Sequence, residues 1–283
     1  MLTTMRYTLN QLRGQVLGWG LGIAALGLMM VSFYGIFVEQ QANFVAMIAG
    51  YPPQFLAFFG GDVASIATPE GFLGMYGFSM LPLIIGIFGV IAGSGLLASD
   101  EEKGRLDLIL AHPVGRVGLF SGRLLALVAA TVGILLLGWL GFSMVLGSSL
   151  LGVSWGQMAL PFVSLLAQAL VYQALALLLS MLLPARRLAA GVAGLVMVAS
   201  YFVSSLSFLD DRLATVGRML PYHYFQGSAA LGGLDAGSFL GLLAASALLA
   251  LLAWWRFARR DIRVAGEGSW QLPGRLPAAP EEA

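Results

Sequence analysis

The chain has 283 residues, 59% of them hydrophobic and only 10% charged, with a formal net charge of +1. Soluble domains carry about 25% charged residues, so this composition excludes an ordinary soluble fold and indicates an integral membrane protein. The absence of cysteine excludes disulfides and thiolate chemistry.

The N-terminal segment, residues 1–15, places Leu2, Met5, Leu9 and Leu12 at helical spacing with Arg6, Asn10 and Arg13 between them. That pattern predicts a short amphipathic helix lying at the inner membrane interface. The apolar stretch behind it is too long for a signal peptide and lacks a small-x-small cleavage site, so it reads as a retained first span. About twenty apolar helical residues cross a ~30 Å hydrocarbon core. Six stretches qualify: Val16–Val38, Phe72–Leu97, Leu124–Leu146, Met158–Leu183, Ala189–Leu209 and Phe239–Phe257. The fourth and fifth are divided at Pro184-Ala185-Arg186-Arg187, because two arginines would not be left in mid-bilayer. The expectation is an all-α membrane protein with a six-span domain over 16–265 and a Pro- and Gly-rich, disordered tail over 266–283.

Charge placement orients these spans. All Lys and Arg except Arg212 and Arg218 fall on one side, and the loop from Glu39 to Glu70 carries acids but neither Lys nor Arg. The positive-inside rule then puts both termini, the Arg186-Arg187 turn and the segment Ser99–Arg123 in the cytoplasm. A cytoplasmic (inner) membrane location follows as an expectation.

Enzyme readings lack their parts. The only lysine, Lys103, stands between Glu102 and Gly104, so no phosphate-cradling Gly-Lys-Ser/Thr turn exists in the chain. His112 and His223 fall on opposite sides of the membrane and cannot share a metal, and neither HExxH nor GxSxG occurs. Prenyl-processing intramembrane proteases place three residues between a Glu-Glu pair and an Arg. Here Glu101-Glu102 is followed by Arg105 after two, and no second intramembrane His is available.

No Asp, Glu, Lys or Arg lies at mid-depth in a span, which argues against an ion-coupled relay and for energy supplied from outside the chain. Among the few polar residues inside the spans, Gln168 and Gln173 either line a substrate path or, preferably, hydrogen-bond neighbouring helices. The small-residue faces Gly14/Gly18/Gly22 and Gly86/Gly89/Gly93 serve packing within the chain or dimerisation.

Ser99–Arg123 is the one charged island between apolar runs. Ser99 and Glu102 form a capping-box signature, predicting a helix to about Ala111 that stops at His112 because Pro113 follows. Leu106, Ile109 and Leu110 share one face of it, an apolar ridge able to dock on a cytosolic partner. Arg116 and Arg123 are expected near the headgroups. Arg186 and Arg187 are expected to bind headgroups in preference to a cytosolic partner. Between Asp210 and Asp235, interleaved Leu213, Val216, Leu220 and Tyr224 predict short helices that brace or gate the far side.

The run from Glu101 to Arg116, EEKGRLDLILAHPVGR, resembles the Glu-Glu-x-Gly-Thr-Leu-x-x-Leu-Leu-x-x-Pro-Val-x-Arg segment of type-2 ATP-binding-cassette (ABC) export permeases. Tyr51–Gly60, Thr68–Leu73 and Leu220–Phe225 are similar to further segments of that family. Two positions depart from its pattern: Arg105 stands where Thr is common, and Arg123 where Lys is usual. The resemblance implies a permease subunit working as a homo- or heterodimer with a second permease chain and two copies of a cytosolic ABC ATPase subunit. ATP and Mg would be bound on that partner and no cofactor on this chain; membrane lipids surround it, and no nucleic acid is implied. It also implies that Glu101, Glu102, Gly104, Arg105, Leu106, Leu110, Pro113 and Arg116 couple to the ATPase. The implied function is export of an amphiphilic or hydrophobic substrate such as a drug, antibiotic or lipid. A non-transporting membrane scaffold that docks a cytosolic partner is the alternative.

Overall fold

The computed structural model describes residues 1–40, 42–43, 46–47, 50–52, 68–106, 109, 115–207 and 210–259; among them helix is the only regular structure and no strand occurs. Six helices are long and apolar enough to cross a membrane: Leu2–Glu39, Pro69–Gly95, Arg116–Ser148, Trp155–Leu182, Arg186–Ser205 and Ala236–Arg259. They are numbered here as the first to sixth spans. The protein is an all-α membrane protein. The tail 266–283, and Tyr51–Gly60 beyond Pro52, lie outside the described residues.

The spans start and stop where local chemistry allows. Residues 2–15 run without a break into the first span, giving one helix of 38 residues. At ~1.5 Å per residue it is about 57 Å long, well beyond a ~30 Å core. The segment read as a separate short helix is therefore the first turns of this rod, since nothing between Gln11 and Val16 breaks the hydrogen-bond ladder. The second span opens on a Thr68 cap, whose hydroxyl accepts from Gly71 N–H at 3.1 Å, with Pro69 in the first turn. It passes through a π-helical stretch, Leu73–Phe78, turns at Ser79–Met80 and restarts at Leu81. Pro82 explains the restart: it has no N–H to offer the preceding turn and suits the first turn of a new helix. The fourth span begins with a capping box in which Ser154 and Gln157 satisfy each other's backbone N–H groups.

Packing centres on the fourth span, which touches the second, third, fifth and sixth, while the first and third lie together along their length. Burial follows that order: 67% of the fourth span's most apolar stretch is buried against 17% of the sixth, which leaves most of the sixth facing outward. Close approach rests on glycine. A Cβ on Gly141 would strike the Ala24 backbone of the first span, and one on Gly93 would strike the Gln173 backbone of the fourth. Gly86 and Gly89 likewise meet Met197 and Gln173, so this triplet serves packing within the chain. Around Gly14, Gly18 and Gly22 the space is open. Aromatic side chains fill the remaining gaps, with Phe78, Phe142 and Phe162 meeting at 5.4–5.7 Å between ring centres.

Candidate functional site

The charged island folds differently from the single helix that its spacing predicts. After the second span the chain turns at Leu96–Leu97 and forms only a short helix, Ala98–Glu102. Ser99 lies inside that helix and makes no capping bond, so the capping box expected with Glu102 is absent. The helix stops because Gly104 adopts φ 61°, a left-handed conformation that glycine reaches without strain. Gly104 N–H then donates to Glu101 C=O at 3.0 Å and Arg105 N–H to Asp100 C=O at 2.8 Å, closing the end as a Schellman motif.

This turn sorts the expected coupling residues. Glu102, Lys103 and Arg105 stand exposed at its tip, and Gly104 makes the bend. Glu101 is buried, and Leu106, only 2% exposed, packs into the protein's own core. Its side of the apolar ridge faces inward, because burying a leucine on the bundle is favourable by roughly 2 kcal/mol. Ile109 is half-buried beside it; Leu110 and Pro113 lie outside the described residues. Arg116 opens the third span, and its Nη1 donates to the carbonyls of Phe257 and Ala258 at 3.4 and 3.2 Å. It thus meets the unpaired C-terminal carbonyls and the negative dipole end of the sixth span.

Arg123, expected near the headgroups, turns to groups of the protein itself. It is buried, ion-paired to Asp100 and donates to Leu96 C=O at 2.6 Å, tying the base of the turn to the third span. The turn is also tied to the fifth span, because Glu102 Oε1 accepts from Arg186 N–H at 3.0 Å. The island is therefore a fixed base with a short charged tip. Sequence patterning missed the Arg123 anchor; the hint was a basic residue about two turns inside an apolar helix.

The two glutamines lie on the buried face of the fourth span. Gln173 Nε2 donates to Thr131 Oγ1 of the third span at 2.6 Å, the interhelical bond preferred from sequence. Gln168 and the Tyr172 hydroxyl one turn on are buried side by side near Ser200; they interact with each other, yet neither side chain closes a hydrogen bond of full geometry. Unsatisfied polar groups of this kind cost ~1–3 kcal/mol each in a dry interior, so they mark a place where water or a bound molecule is favoured.

At the opposite end of the bundle, the segment between Asp210 and Asp235 forms the short helices Asp211–Gly217, Pro221–Tyr224 and Gly227–Gly232, as its pattern predicts. The residues that hold it are not the expected ones: Val216 and Tyr224 are exposed, whereas Tyr222 and Gln226 reach inward. Tyr222 N–H donates to Ser200 Oγ at 3.1 Å, and its hydroxyl donates to Ser79 C=O at 3.2 Å. Burial pushes the Tyr222 phenol well above its ordinary range, and nearby Tyr201 and Tyr172 add to the effect. Gln226 N–H donates to Ser164 Oγ, and its side chain exchanges two bonds with the Asp235 backbone. The Asp235 carboxylate caps the sixth span by accepting from Gly237 and Ser238 N–H; the Ser238 hydroxyl and these two amides hold its pKa below the usual carboxylate range.

No candidate metal cluster occurs among the described residues. No curated protein matches the chain in sequence. A family model does, over residues 4–258: it describes the multidrug efflux system permease Rv1217c, C-terminal domain. The match takes in all six spans, the anchored turn and the braced 210–235 segment, and the chain belongs to this efflux permease family.

Proposed function

We propose that this chain is the membrane-spanning subunit of an ATP-driven exporter, oriented with both termini and the 99–123 segment in the cytoplasm. In this reading a separate ATPase subunit, carrying ATP and Mg, docks on the tip Glu102-Lys103-Gly104-Arg105, and two permease chains pair with two ATPase chains. The supporting observation is the construction of that turn: three exposed charges stand on a base fixed to the second, third and fifth spans. A push on the tip reaches three spans at once, as a coupling device requires. The cargo proposed is an amphiphile, in keeping with the matching family of multidrug efflux permeases. The buried polar pair Gln168 and Tyr172 would meet it part-way across.

The test is co-purification of the chain with its ATPase in lipid, with ATP hydrolysis and drug efflux measured together. Substituting Lys103→Glu and Arg105→Glu should abolish stimulation of the ATPase while leaving thermal unfolding of the spans unchanged. Unaltered association and hydrolysis in that double variant would refute the docking assignment.

A further inference from the structure

A polar notch of about 210 Å3 opens where the inner parts of the first and second spans stand apart, beside the anchored turn. Its walls are of two kinds. Leu12 and Ala92 are apolar, and Ile91 turns outward, as expected of a surface beside lipid tails. Gln11, Gln15, Ser99 and two arginines, Arg123 and Arg186, supply polar groups. One to two turns further along, Trp19 of the first span and Phe88 of the second meet at 6.4 Å between ring centres and close the seam.

The charge count within the notch is uneven. Arg123 is neutralised by Asp100, and its Nε is buried without a partner. Arg186 spends its backbone N–H on Glu102, but among the described residues its guanidinium meets no carboxylate and only the Ile91 carbonyl, at 3.4 Å. That guanidinium lies flat over Gly95, occupying the space that any side chain there would take. The result is a cation preplaced at the mouth of a cavity, with exposed glutamine amides facing it from the first span. Pockets for drug-sized molecules run to about 300–1,000 Å3, so this one is too small for such a cargo and suits a headgroup. A ligand rich in acceptors and carrying negative charge satisfies both arginine and amide donors, and phosphate does so with charge-assisted bonds. Basic pockets between spans are recurrent lipid headgroup sites.

We infer that this notch binds the phosphate of an anionic lipid from the leaflet at this end of the bundle, its chains lying against Leu12 and Ile91. The bound lipid bridges the first span to the turn that carries Glu102 and Arg105. The inference concerns binding alone and stands or falls independently of the ATPase reading.

The test uses the full chain in detergent, titrated with phosphatidylglycerol, phosphatidylcholine or inorganic phosphate, with bound lipid counted by native mass spectrometry and unfolding followed thermally. Phosphatidylglycerol should bind tightest. Arg186→Gln should weaken it about tenfold, the loss of one charge-assisted contact. Arg187→Gln, the exposed neighbour, should change it less than about twofold, as a screened surface charge does. Gln15→Leu, on the exposed side of the first span, gives a second variant that leaves the core intact and should also weaken binding. Equal losses from the Arg186 and Arg187 variants would show diffuse surface attraction and overturn the site. So would phosphatidylcholine binding as tightly as phosphatidylglycerol. If inorganic phosphate alone stabilises the chain in an Arg186-dependent way and displaces the lipid, the ligand is a free anion and the lipid assignment is overturned.

Discussion

The two polar segments that interrupt the bundle, 96–116 at one end and 210–235 at the other, are built on opposite plans. The 210–235 segment turns its hydrogen-bonding groups inward: Tyr222 and Gln226 bond to three different spans, and Asp235 caps the sixth. Among the described residues of 96–116, the base is anchored through Arg123 and Asp100 and through Glu102 on the Arg186 N–H, while Glu102, Lys103 and Arg105 keep their charged ends exposed. A loop that satisfies its own polar groups is a brace. One that fixes its base and exposes its charges is equipped to meet something else.

The contrast can be broken at several strengths. Arg123→Met strikes the base of the 96–106 turn and should be the most damaging change. It leaves Asp100 without its cation and removes the bond to Leu96, a loss of about 3 kcal/mol, at the low end for a buried pair because water can reach Asp100. Thermal unfolding in detergent would measure it; a loss below about 1 kcal/mol would mean that the pair is no anchor. Next comes the brace. Tyr222→Ala should cost about 2 kcal/mol through lost packing on Tyr201, and Tyr222→Phe about 1 kcal/mol through the Ser79 bond alone. If alanine and phenylalanine behave alike, the ring contributes nothing and the segment is loosely held.

A weaker effect is expected from acid. The folded-state pKa of Asp235 lies below its unfolded value, so its capping contribution is complete above the unfolded carboxyl pKa. That contribution is lost as pH falls through the folded value. Asp235→Asn keeps the acceptor oxygen and should flatten this acid limb of a stability-versus-pH curve; an unchanged limb would assign the acid sensitivity elsewhere. Smallest of all should be Lys103→Gln, with melting unaltered within about 0.5 kcal/mol, because a side chain at the tip supports nothing in the fold.

The six spans were legible because lipid imposes long apolar runs that no other demand on a sequence produces. Finer chemistry was legible only where context agreed. Ser99-x-x-Glu102 and Ser154-x-x-Gln157 carry the same cap signature. The second closes into a capping box because a left-handed Gly152 and an extended Ser154 bring the chain out of helix before Trp155. The first cannot, because the helix has already begun at Ala98 and the Glu102 carboxylate is taken by Arg186. Leu106 teaches the same lesson: periodicity identifies an apolar face but not whether it looks at a partner or at its own bundle. Arg123 and Tyr222 escaped notice for a related reason, since each matters through a contact distant in sequence, to Asp100 and to Ser79.

The turn at Ser79–Met80 makes the second span two rods in series rather than one. The lower rod, Leu81–Gly95, is about 22 Å long at ~1.5 Å per residue, and carries the anchored turn at its far end. A sideways push there becomes a swing about the joint, while the upper portion stays clamped among Tyr34, Phe37 and Phe72. Two phenols hold that joint, Tyr222 on the Ser79 carbonyl and Tyr201 on the Met80 sulfur, the first contributed by the opposite end of the molecule. Leverage applied at one end of the bundle would thus arrive at the other as torque on these two contacts.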